Sequence, residues 1–312
     1  MDAPALPLPD GPVVIDGGLA TELEARGHDL SSDLWSAQLL AEDPAAIREV
    51  HAAYFAAGAS VGISASYQAS RSGFLRHGHD PDDADRLLRL SVQLVREARE
   101  SVAESSDRDG LLVAASVGPF GATLHDGSEY RGRYGVPQRS LVDFHSQRLE
   151  VLIGAQPDLL AIETIPDAAE AEAIIEALDS LRPHPPAWLS FSCADGRTTN
   201  AGQSVRDAAQ VVAGSSIAAV GANCTAPEHI GSLVSRMSAA APGLAIVVYP
   251  NAGRVWDGDA AAWSGDGRDT LPEAAVNAWL SEGAKLVGGC CGLGPTAIGR
   301  LAAAAAARGA TS

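Results

Sequence analysis

The chain has 312 residues, a length that allows a sizeable buried core in one large α/β barrel or in two smaller domains. Asp and Glu number 39 against 22 Lys and Arg, and the net charge of −17 repels nucleic acids and anionic membranes. No apolar run reaches the ~20 residues that span a bilayer, and the N-terminal segment lacks the cationic start of a secretory signal. We therefore expect a cytoplasmic protein with no nucleic-acid or membrane partner.

Eight short apolar segments recur along the chain, and most of them end in a small or polar residue. Most are continuous apolar runs, which are typical of strands covered on both faces, as in a parallel sheet. The predicted strands are Val13–Gly18, Ser60–Tyr67, Leu111–Pro119, Leu159–Ile165, Ala187–Cys193, Ile217–Cys224, Ala245–Asn251 and Lys285–Cys291.

Segments with helical spacing lie between these predicted strands. The first, Thr21–Arg26, is short, and Gly27–Trp35 separates it from a helix in which Ile47, Val50 and Tyr54 share one apolar stripe. Several segments begin with Pro or Asp near the first turn, which is a helix-start signal. The other predicted helices are Pro44–Ala57, Asp82–Ala103, Arg139–Ile153, Asp167–Leu181, Val205–Ala213, Pro227–Ala239, Leu271–Ser281 and Pro295–Ala307.

The strict alternation of eight strands with helices predicts parallel strands joined by right-handed crossovers, and a closed (β/α)8 TIM barrel is the natural solution. An open doubly wound sheet is the alternative, but it requires a Gly-rich G-x-G-x-x-G turn after the first strand. The residues at that place, Asp16–Thr21, do not fit this turn. We therefore predict a single α/β domain over residues 1–312, with the core of the barrel at residues 11–308.

Two connections are too long for simple turns. Gly118–Gln138 follows the third predicted strand, and Ala252–Thr270, which carries Trp256 and Trp263, follows the seventh. Long loops in a compact domain are usually functional or mobile. In a barrel both would lie on the C-terminal face, where barrel enzymes have their active sites.

Chemically reactive residues stand at the ends of the predicted strands, so the barrel would bring them to one rim. Cys224 ends the sixth strand, and Cys290 and Cys291 end the eighth after a Gly-Gly pair that allows both sulfurs to face one point. Three thiolates with one open position are typical of a catalytic metal site, and they leave zinc soft enough to bind another thiol. Tight packing or a redox pair is the alternative, and we interpret Cys193 as an ordinary buried hydrophobe.

Asp16 and Glu163 follow apolar runs, so each carboxylate needs a cationic partner to offset its desolvation. No Lys or Arg stands at a strand end as an obvious partner, and the ammonium group of a substrate would fill that role. The Gly17 and Gly18 amides can receive a substrate carboxylate. A carboxylate that serves only structure, and a simple Gly-Gly turn, remain the alternatives.

Two aromatic residues and two amides complete the candidate site. Tyr67 and Trp35 can present aromatic faces to a cationic methyl donor, although packing is the alternative for both and the favoured role of Trp35. Asn223 can orient a metal ligand from the neighbouring position, or close a turn. Asn251 ends the seventh predicted strand on the same rim.

Motifs along almost the whole chain, from Val13 to Pro295, are similar to those of one known family. They are Asp16–Gly18, Thr21–Glu24, Ala65–Ser70, Gly118–Ala122, Asp126–Tyr130, Glu163–Pro166, Gly221–Cys224, Tyr249–Gly253 and Gly288–Cys291. In this order they resemble the homocysteine S-methyltransferase family, and the Asn-Cys and Gly-Gly-Cys-Cys pair is the most specific part of the resemblance.

The resemblance implies a zinc-dependent (β/α)8 barrel enzyme. It would move a methyl group from a sulfonium donor, S-methylmethionine or S-adenosylmethionine, to the thiol of L-homocysteine and so form methionine. Cys224, Cys290 and Cys291 would hold Zn²⁺. The zinc-bound substrate thiolate would be the nucleophile, so no protein side chain would serve in that role.

The same resemblance assigns the two substrates to different residues. Asp16 and Glu163 would hold the homocysteine ammonium group, with amides near Gly17 on its carboxylate. The segment Asp126–Tyr130 is similar to the sulfonium-using branch, and its Glu129 joins Trp35 and Tyr67 in the predicted donor pocket. Asn223 and Asn251 would support the metal ligands. The alternatives are a zinc methyltransferase for another thiol or selenol, and a non-enzymatic zinc- or redox-responsive protein.

Overall fold

Eight parallel strands form a barrel in the computed structural model, which describes residues 4–32, 34–106, 108–253, 255–257, 262–264, 267 and 269–309. The barrel strands are β1 (Val13–Val14), β2 (Val61–Ile63), β3 (Leu112–Val117), β4 (Leu159–Ile165), β5 (Ala187–Phe191), β6 (Ala219–Asn223), β7 (Ala245–Tyr249) and β10 (Ala284–Val287). Between β7 and β10, the strands β8 (Val255–Asp257) and β9 (Ala262–Ser264) pair as an antiparallel hairpin.

The barrel closes between its first and second strands. The hydrogen-bonded order runs β1-β10-β7-β6-β5-β4-β3-β2, and a parallel bridge from Ile15 to Val61 joins the two ends. The Ser60 amide donates to the Val14 carbonyl at 2.7 Å, and the Asp16 amide donates to the Val61 carbonyl at 3.0 Å. The predicted (β/α)8 barrel is therefore confirmed, and the open sheet is excluded. The extent of a single domain over residues 1–312 stays a prediction.

Helices follow the barrel strands and cover the outside of the barrel. They are α1 (Leu19–Ala25), α2 (Leu39–Glu42), α3 (Pro44–Ala57), α4 (Arg71–Arg76), α5 (Pro81–Ser106), α6 (Gln138–Gly154), α7 (Ala168–Ser180), α8 (Val205–Ala213), α9 (Pro227–Ala240), α10 (Glu273–Ser281) and α11 (Pro295–Gly309). The bounds of α3 and α8 are those predicted from the sequence. At α3 the Asp43 side chain accepts from the Ala46 amide, and Gly58 ends the helix at a φ of 117°. Within the described residues no helix is long and apolar enough to cross a membrane.

Several strands end earlier than the apolar runs suggested. The predicted strand Ser60–Tyr67 is a strand only over Val61–Ile63, because the Ser64 and Ser66 hydroxyls bond to each other and Ser66 bonds to the Ser116 carbonyl. Likewise, β1 is shorter than predicted because Asp16 and its following glycines form the turn into α1. The short helices α2 and α4 and the β8–β9 hairpin were not predicted.

The apolar core has two parts. Between barrel and helices lies the larger cluster, which includes Phe55, Phe74 and Phe191. Inside the barrel lies a smaller cluster in which Trp188 and Tyr249 are the largest side chains, and both are almost fully buried. Because side chains fill the barrel interior, a substrate site can form only at the rim, above this plug.

Candidate metal centre and active site

Three cysteine sulfurs meet at the C-terminal rim of the barrel. Cys224 directly follows β6, and Cys290 and Cys291 follow β10. The Sγ–Sγ distance is 3.7 Å from Cys224 to Cys291 and 3.9 Å from Cys290 to Cys291, and all three sulfurs lie within 4.8 Å of one another. Tetrahedral zinc with Zn–S bonds of ~2.3 Å requires sulfurs about 3.8 Å apart. Two of the three sulfur–sulfur distances match this spacing, so the donor set fits zinc.

The backbone around the sulfurs adopts uncommon conformations. Cys224 has a φ of 48°, in the left-handed region that residues with a side chain rarely occupy, and its amide donates to the Tyr249 carbonyl at 3.2 Å. A Cβ on Gly288 would lie 2.8 Å from the Ile15 Cβ, so this glycine allows the strand ends to approach closely. The Cys290 amide donates to the Pro250 carbonyl at 2.8 Å. These contacts turn the two chain segments toward each other across β7.

The electrostatics of the sulfur cluster call for a cation. Hydrogen bonds from Cys290 and Cys291 lower the pKa of the Cys224 thiol. The contact with Cys224 in turn raises the pKa of the Cys290 thiol and the pKa of the Cys291 thiol. Ionisation of all three thiols together is therefore unfavourable without a cation that compensates their charge.

Two buried carboxylates stand beside the cluster. The Asp16 carboxylate accepts from the Ile63 amide at 2.7 Å, and burial, together with the charge of Glu163, raises the pKa of Asp16 well above its usual value. Burial raises the pKa of Glu163 to about 7, although hydrogen bonds from Ser116 and Tyr249 partly offset that effect. Both carboxylates therefore favour a nearby cation.

A tyrosine pair and a glutamate also lie near Cys224. The Tyr130 hydroxyl is 3.6 Å from the Cys224 sulfur, and the Tyr67 hydroxyl bonds to the Thr164 side chain and lies within the electrostatic influence of Glu129 and Cys224. Burial raises the pKa of Glu129 to about 7. Its Oε2 is buried and has no hydrogen-bond partner among the described residues. The two tyrosines and Glu129 thus make this part of the site acidic and aromatic.

Comparison with known proteins identifies the family. A family model described as homocysteine S-methyltransferase matches residues 13–305. The chain belongs to this family. It is 43% identical over 306 residues to homocysteine S-methyltransferase 1 of Zea mays, with 92% of each chain covered. It is 42% identical over 298 residues to homocysteine S-methyltransferase YbgG of Bacillus subtilis (strain 168), with 93% of each chain covered.

Solved structures of one family member show the same barrel. The metallated form of the homocysteine methyltransferase MmuM from Escherichia coli has a TM-score of 0.85 and 40% identity, covering 94% of this chain and 96% of that chain. The apo form of the same protein has a TM-score of 0.76 at 35% identity, covering 95% of this chain and 96% of that chain. Both forms therefore share the barrel of this chain.

The two candidate asparagines bond to backbone and side chains near the sulfur cluster. The buried Asn223 accepts from the Thr164 amide at 2.7 Å and from the Ser190 hydroxyl at 2.8 Å, so it fixes the strand end before Cys224. The Asn251 side chain accepts from the Gly253 amide at 2.8 Å, in the turn after β7. Asn223 and Asn251 thus shape backbone near the cluster and make no direct contact with its sulfurs among the described residues.

Gly17 and Trp35 occupy different surroundings. A Cβ on Gly17 would lie 2.3 Å from the Leu293 carbonyl oxygen, so only glycine fits there. The Gly18 amide donates to that carbonyl at 3.0 Å, whereas the Gly17 amide has no acceptor among the described residues. Trp35 begins a 3₁₀ turn at a φ of 49° and packs against the larger apolar cluster. The place of Trp35 in the donor pocket stays a prediction.

Five residues of this site were missed in the sequence. Ser116, Thr164 and Tyr249 bond to predicted site residues, Tyr130 contacts Cys224, and the charge of Arg148 lowers the pKa of Glu163. The Arg148 position carried a usable signal, because it lies on the buried stripe of α6. An arginine on an otherwise apolar helix face requires a partner inside the protein.

Proposed function

We propose that this family member moves a methyl group from a sulfonium donor, S-methylmethionine or S-adenosylmethionine, to L-homocysteine, with Zn²⁺ as its cofactor. The observation that carries this proposal is the set of three sulfurs at tetrahedral zinc spacing beside two buried carboxylates. Sulfur ligands suit a soft site that binds a further thiol, and the carboxylates suit an amino-acid ammonium group.

The residues around the cluster support a homocysteine site. Cys224, Cys290 and Cys291 would hold the metal, which when bound lowers the pKa of an incoming thiol and keeps it as thiolate at neutral pH. Asp16 and Glu163 would take the ammonium group, because both are buried and have no cationic side chain within 4.0 Å among the described residues. The unbonded amide of Gly17 would take the substrate carboxylate.

Glu129 and Tyr67 support a site for a cationic donor. Glu129 offers a buried carboxylate oxygen without a partner, and Tyr67 offers an aromatic ring close to it. A positive sulfonium group is stabilised by both features, since aromatic faces and carboxylates attract cations. An anionic methyl donor would meet repulsion at the same place.

The chemistry needs positioning more than acid or base catalysis. The thiolate electron pair forms the new sulfur–carbon bond to the methyl carbon, and the old carbon–sulfonium bond breaks with its pair left on the donor sulfur. The donor leaves as a neutral thioether, and the thiol proton passes to water. Because the leaving group is good, the side chains bind, orient and exclude water. No side chain of this protein forms a bond to the methyl group.

The test is a methyl-transfer assay with zinc analysis. We expect the purified protein to convert homocysteine and S-methylmethionine to methionine, and to bind one zinc per chain. Cys224→Ala should abolish zinc binding and turnover. Cys193→Ala should change neither, because Cys193 is a buried thiol outside the cluster.

Two outcomes would contradict the proposal. Full activity after complete zinc removal would refute the role of the metal. Turnover with another thiol or selenol that exceeds turnover with homocysteine would redirect the acceptor assignment. A donor panel that includes S-adenosylmethionine, run beside these measurements, identifies the preferred sulfonium compound.

A further inference from the structure

A buried arginine joins two segments of the proposed donor pocket. Arg148 lies on α6 and is only 3% exposed. Its guanidinium group donates to the Ser66 and Tyr67 carbonyls and, at 3.0 Å, to the Gly118 carbonyl. One side chain therefore binds both the segment that follows β2 and the segment that follows β3.

Arg148 has an unusual environment for a charged group. Among the described residues no carboxylate lies within 4.0 Å of it, so carbonyl dipoles take the place that an acidic partner commonly has. Burial lowers the pKa of Arg148 to about 10, and the group stays protonated at neutral pH. A buried cation held by three carbonyls fixes the positions of those carbonyls tightly.

The three carbonyls belong to the segments that carry the donor-side residues. Tyr67 itself supplies one carbonyl, and Gly118 begins the loop that contains Glu129 and Tyr130. The two segments also touch directly, because a Cβ on Gly118 would lie 2.5 Å from the Tyr67 carbonyl oxygen and 2.7 Å from its ring. The position of the Tyr67 ring relative to the loop is therefore set at this junction.

A different residue holds the acceptor side. The Tyr54 hydroxyl, from α3, bonds to the Gly18 carbonyl at 2.9 Å and the Leu293 carbonyl at 3.2 Å. Gly18 follows Asp16 and Gly17, and Leu293 follows the Cys290–Cys291 pair. Arg148 and Tyr54 thus contact separate segments of the rim, and the described structure shows no hydrogen bond between the two residues.

We infer that Arg148 is a positioning residue for the methyl donor, which it serves by holding the Tyr67 segment against the start of the Gly118–Gln138 loop. This inference rests on the proposed function, because it takes Tyr67 and Glu129 as the donor side of the pocket. It assigns to Arg148 no contact with either substrate.

The test separates the kinetic constants of the two substrates. Arg148→Ala should lower kcat/KM for the sulfonium donor about 100-fold, as a displacement of about 1 Å in a binding group does. Zinc content should stay within about twofold of the wild type. The homocysteine KM should change less than the donor KM, because Arg148 affects Glu163 by its charge but hydrogen-bonds the Tyr67 segment directly. Arg148→Lys, which keeps the charge and can reach one carbonyl, should recover part of the loss.

Matched variants distinguish positioning from general stability. Arg108→Ala removes another arginine that binds three carbonyls, those of Phe55, Gly58 and Ala59, and it should leave both KM values unchanged. Tyr54→Phe should raise the homocysteine KM and spare the donor KM. Gly118→Ala pushes on Tyr67 without removing Arg148, and it should raise the donor KM. This variant replaces Arg148→Ala in the test if Arg148→Ala does not fold.

The outcomes separate two failures. If the wild-type protein transfers no methyl group to homocysteine, the proposed function fails. If the wild type is active but Arg148→Lys and Gly118→Ala leave the donor KM unchanged, or raise both KM values equally, only the positioning role is wrong.

Discussion

Three carboxylates near the sulfur cluster differ in their hydrogen-bond partners. Glu163 accepts hydrogen bonds from the Ser116 and Tyr249 hydroxyls, whereas Glu129 Oε2 has no partner. Asp16 lies close enough to Glu163 for their charges to interact. The first pair thus forms a preorganised cation site, and the third carboxylate is free to meet a second cation. This difference predicts that each substrate depends on its own carboxylate.

Neutral amides in place of these carboxylates test that assignment. Glu163→Gln should raise the homocysteine KM, and Glu129→Gln should raise the donor KM, each by about 10- to 100-fold, because a hydrogen bond to a charged group contributes about 1.5–3 kcal/mol. Initial-rate kinetics with both substrates varied provide the measurement. Asp207→Asn, an exposed change at the start of α8, is the control. Equal changes in both KM values for either variant would contradict the assignment.

A buried histidine of α3 has no role in the proposed chemistry, but it makes the stability of the protein depend on pH. His51 on α3 is 1% exposed, and neither ring nitrogen has a hydrogen-bond partner in the part of the chain that the structure describes. Burial lowers the pKa of His51 from 6.5 to about 3. Protons therefore bind the unfolded chain more strongly between these values, and stability falls as pH falls from 6.5 toward 3.

We expect His51→Leu to lose less stability than the wild type as the pH falls. The histidine contributes a slope of at most about 1.4 kcal/mol per pH unit to the free energy of unfolding. Urea unfolding at about pH 7 and about pH 5 should show a smaller difference for His51→Leu than for the wild type. The exposed His77 provides the control, and His77→Leu should keep the wild-type pH dependence. An unchanged difference in His51→Leu would show that His51 is not the responsible group.

At the scale of elements, the loop Gly118–Gln138 is held by a glutamate on α7. Glu170 is fully buried and accepts from the Phe120 amide at 2.6 Å and from the Tyr134 hydroxyl at 2.7 Å. It also bonds to His145 of α6 at 3.0 Å. One carboxylate therefore ties the loop to both helices beneath it, which keeps Glu129 at the rim.

Loss of this carboxylate should loosen the loop. Glu170→Ala should lower the free energy of unfolding by about 3 kcal/mol, the usual effect of removing one member of a buried polar pair. Because the loop carries Glu129, the donor KM should rise as well, and limited proteolysis should cleave within Gly118–Gln138. Glu172→Ala, an exposed change on the same helix, should do neither. Wild-type protease resistance in Glu170→Ala would contradict this role of Glu170.

The contrast between strands and helices shows what the sequence could predict. Continuous apolar runs located all eight barrel strands, and the rule that active sites lie at strand ends brought Cys224 to Cys290 and Cys291. The same rule could not locate Arg148 and Glu170, because both reach the rim from helices and depend on tertiary contacts. The sequence misplaced the ends of strands where serine hydroxyls or glycine turns take over from the backbone hydrogen bonds of the sheet. Such local bonds compete with sheet hydrogen bonds.

For the whole molecule, the barrel and the metal site have separate sources of stability. The interior cluster around Trp188 and the larger cluster under the helices contain neither Cys224 nor Cys291, and Cys290 only packs against the interior cluster from outside it. The sulfurs instead connect the ends of β6 and β10, which are separated by β7 in the sheet order. A metal bound there would join non-neighbouring strands at the rim and leave the core as it is.

Metal removal should therefore lower stability without unfolding the barrel. Ligand linkage predicts that zinc at 100 times its Kd raises the free energy of unfolding by about 2.7 kcal/mol. We expect a chelator to lower the Tm of the wild type. Secondary structure at room temperature, measured by far-UV circular dichroism, should stay unchanged. Cys291→Ala should have the lower Tm already and should not respond to zinc, whereas Cys193→Ala should respond as the wild type does. Loss of secondary structure on chelation would show that the metal is needed for the fold, because the two apolar clusters would then be insufficient to hold the strands together.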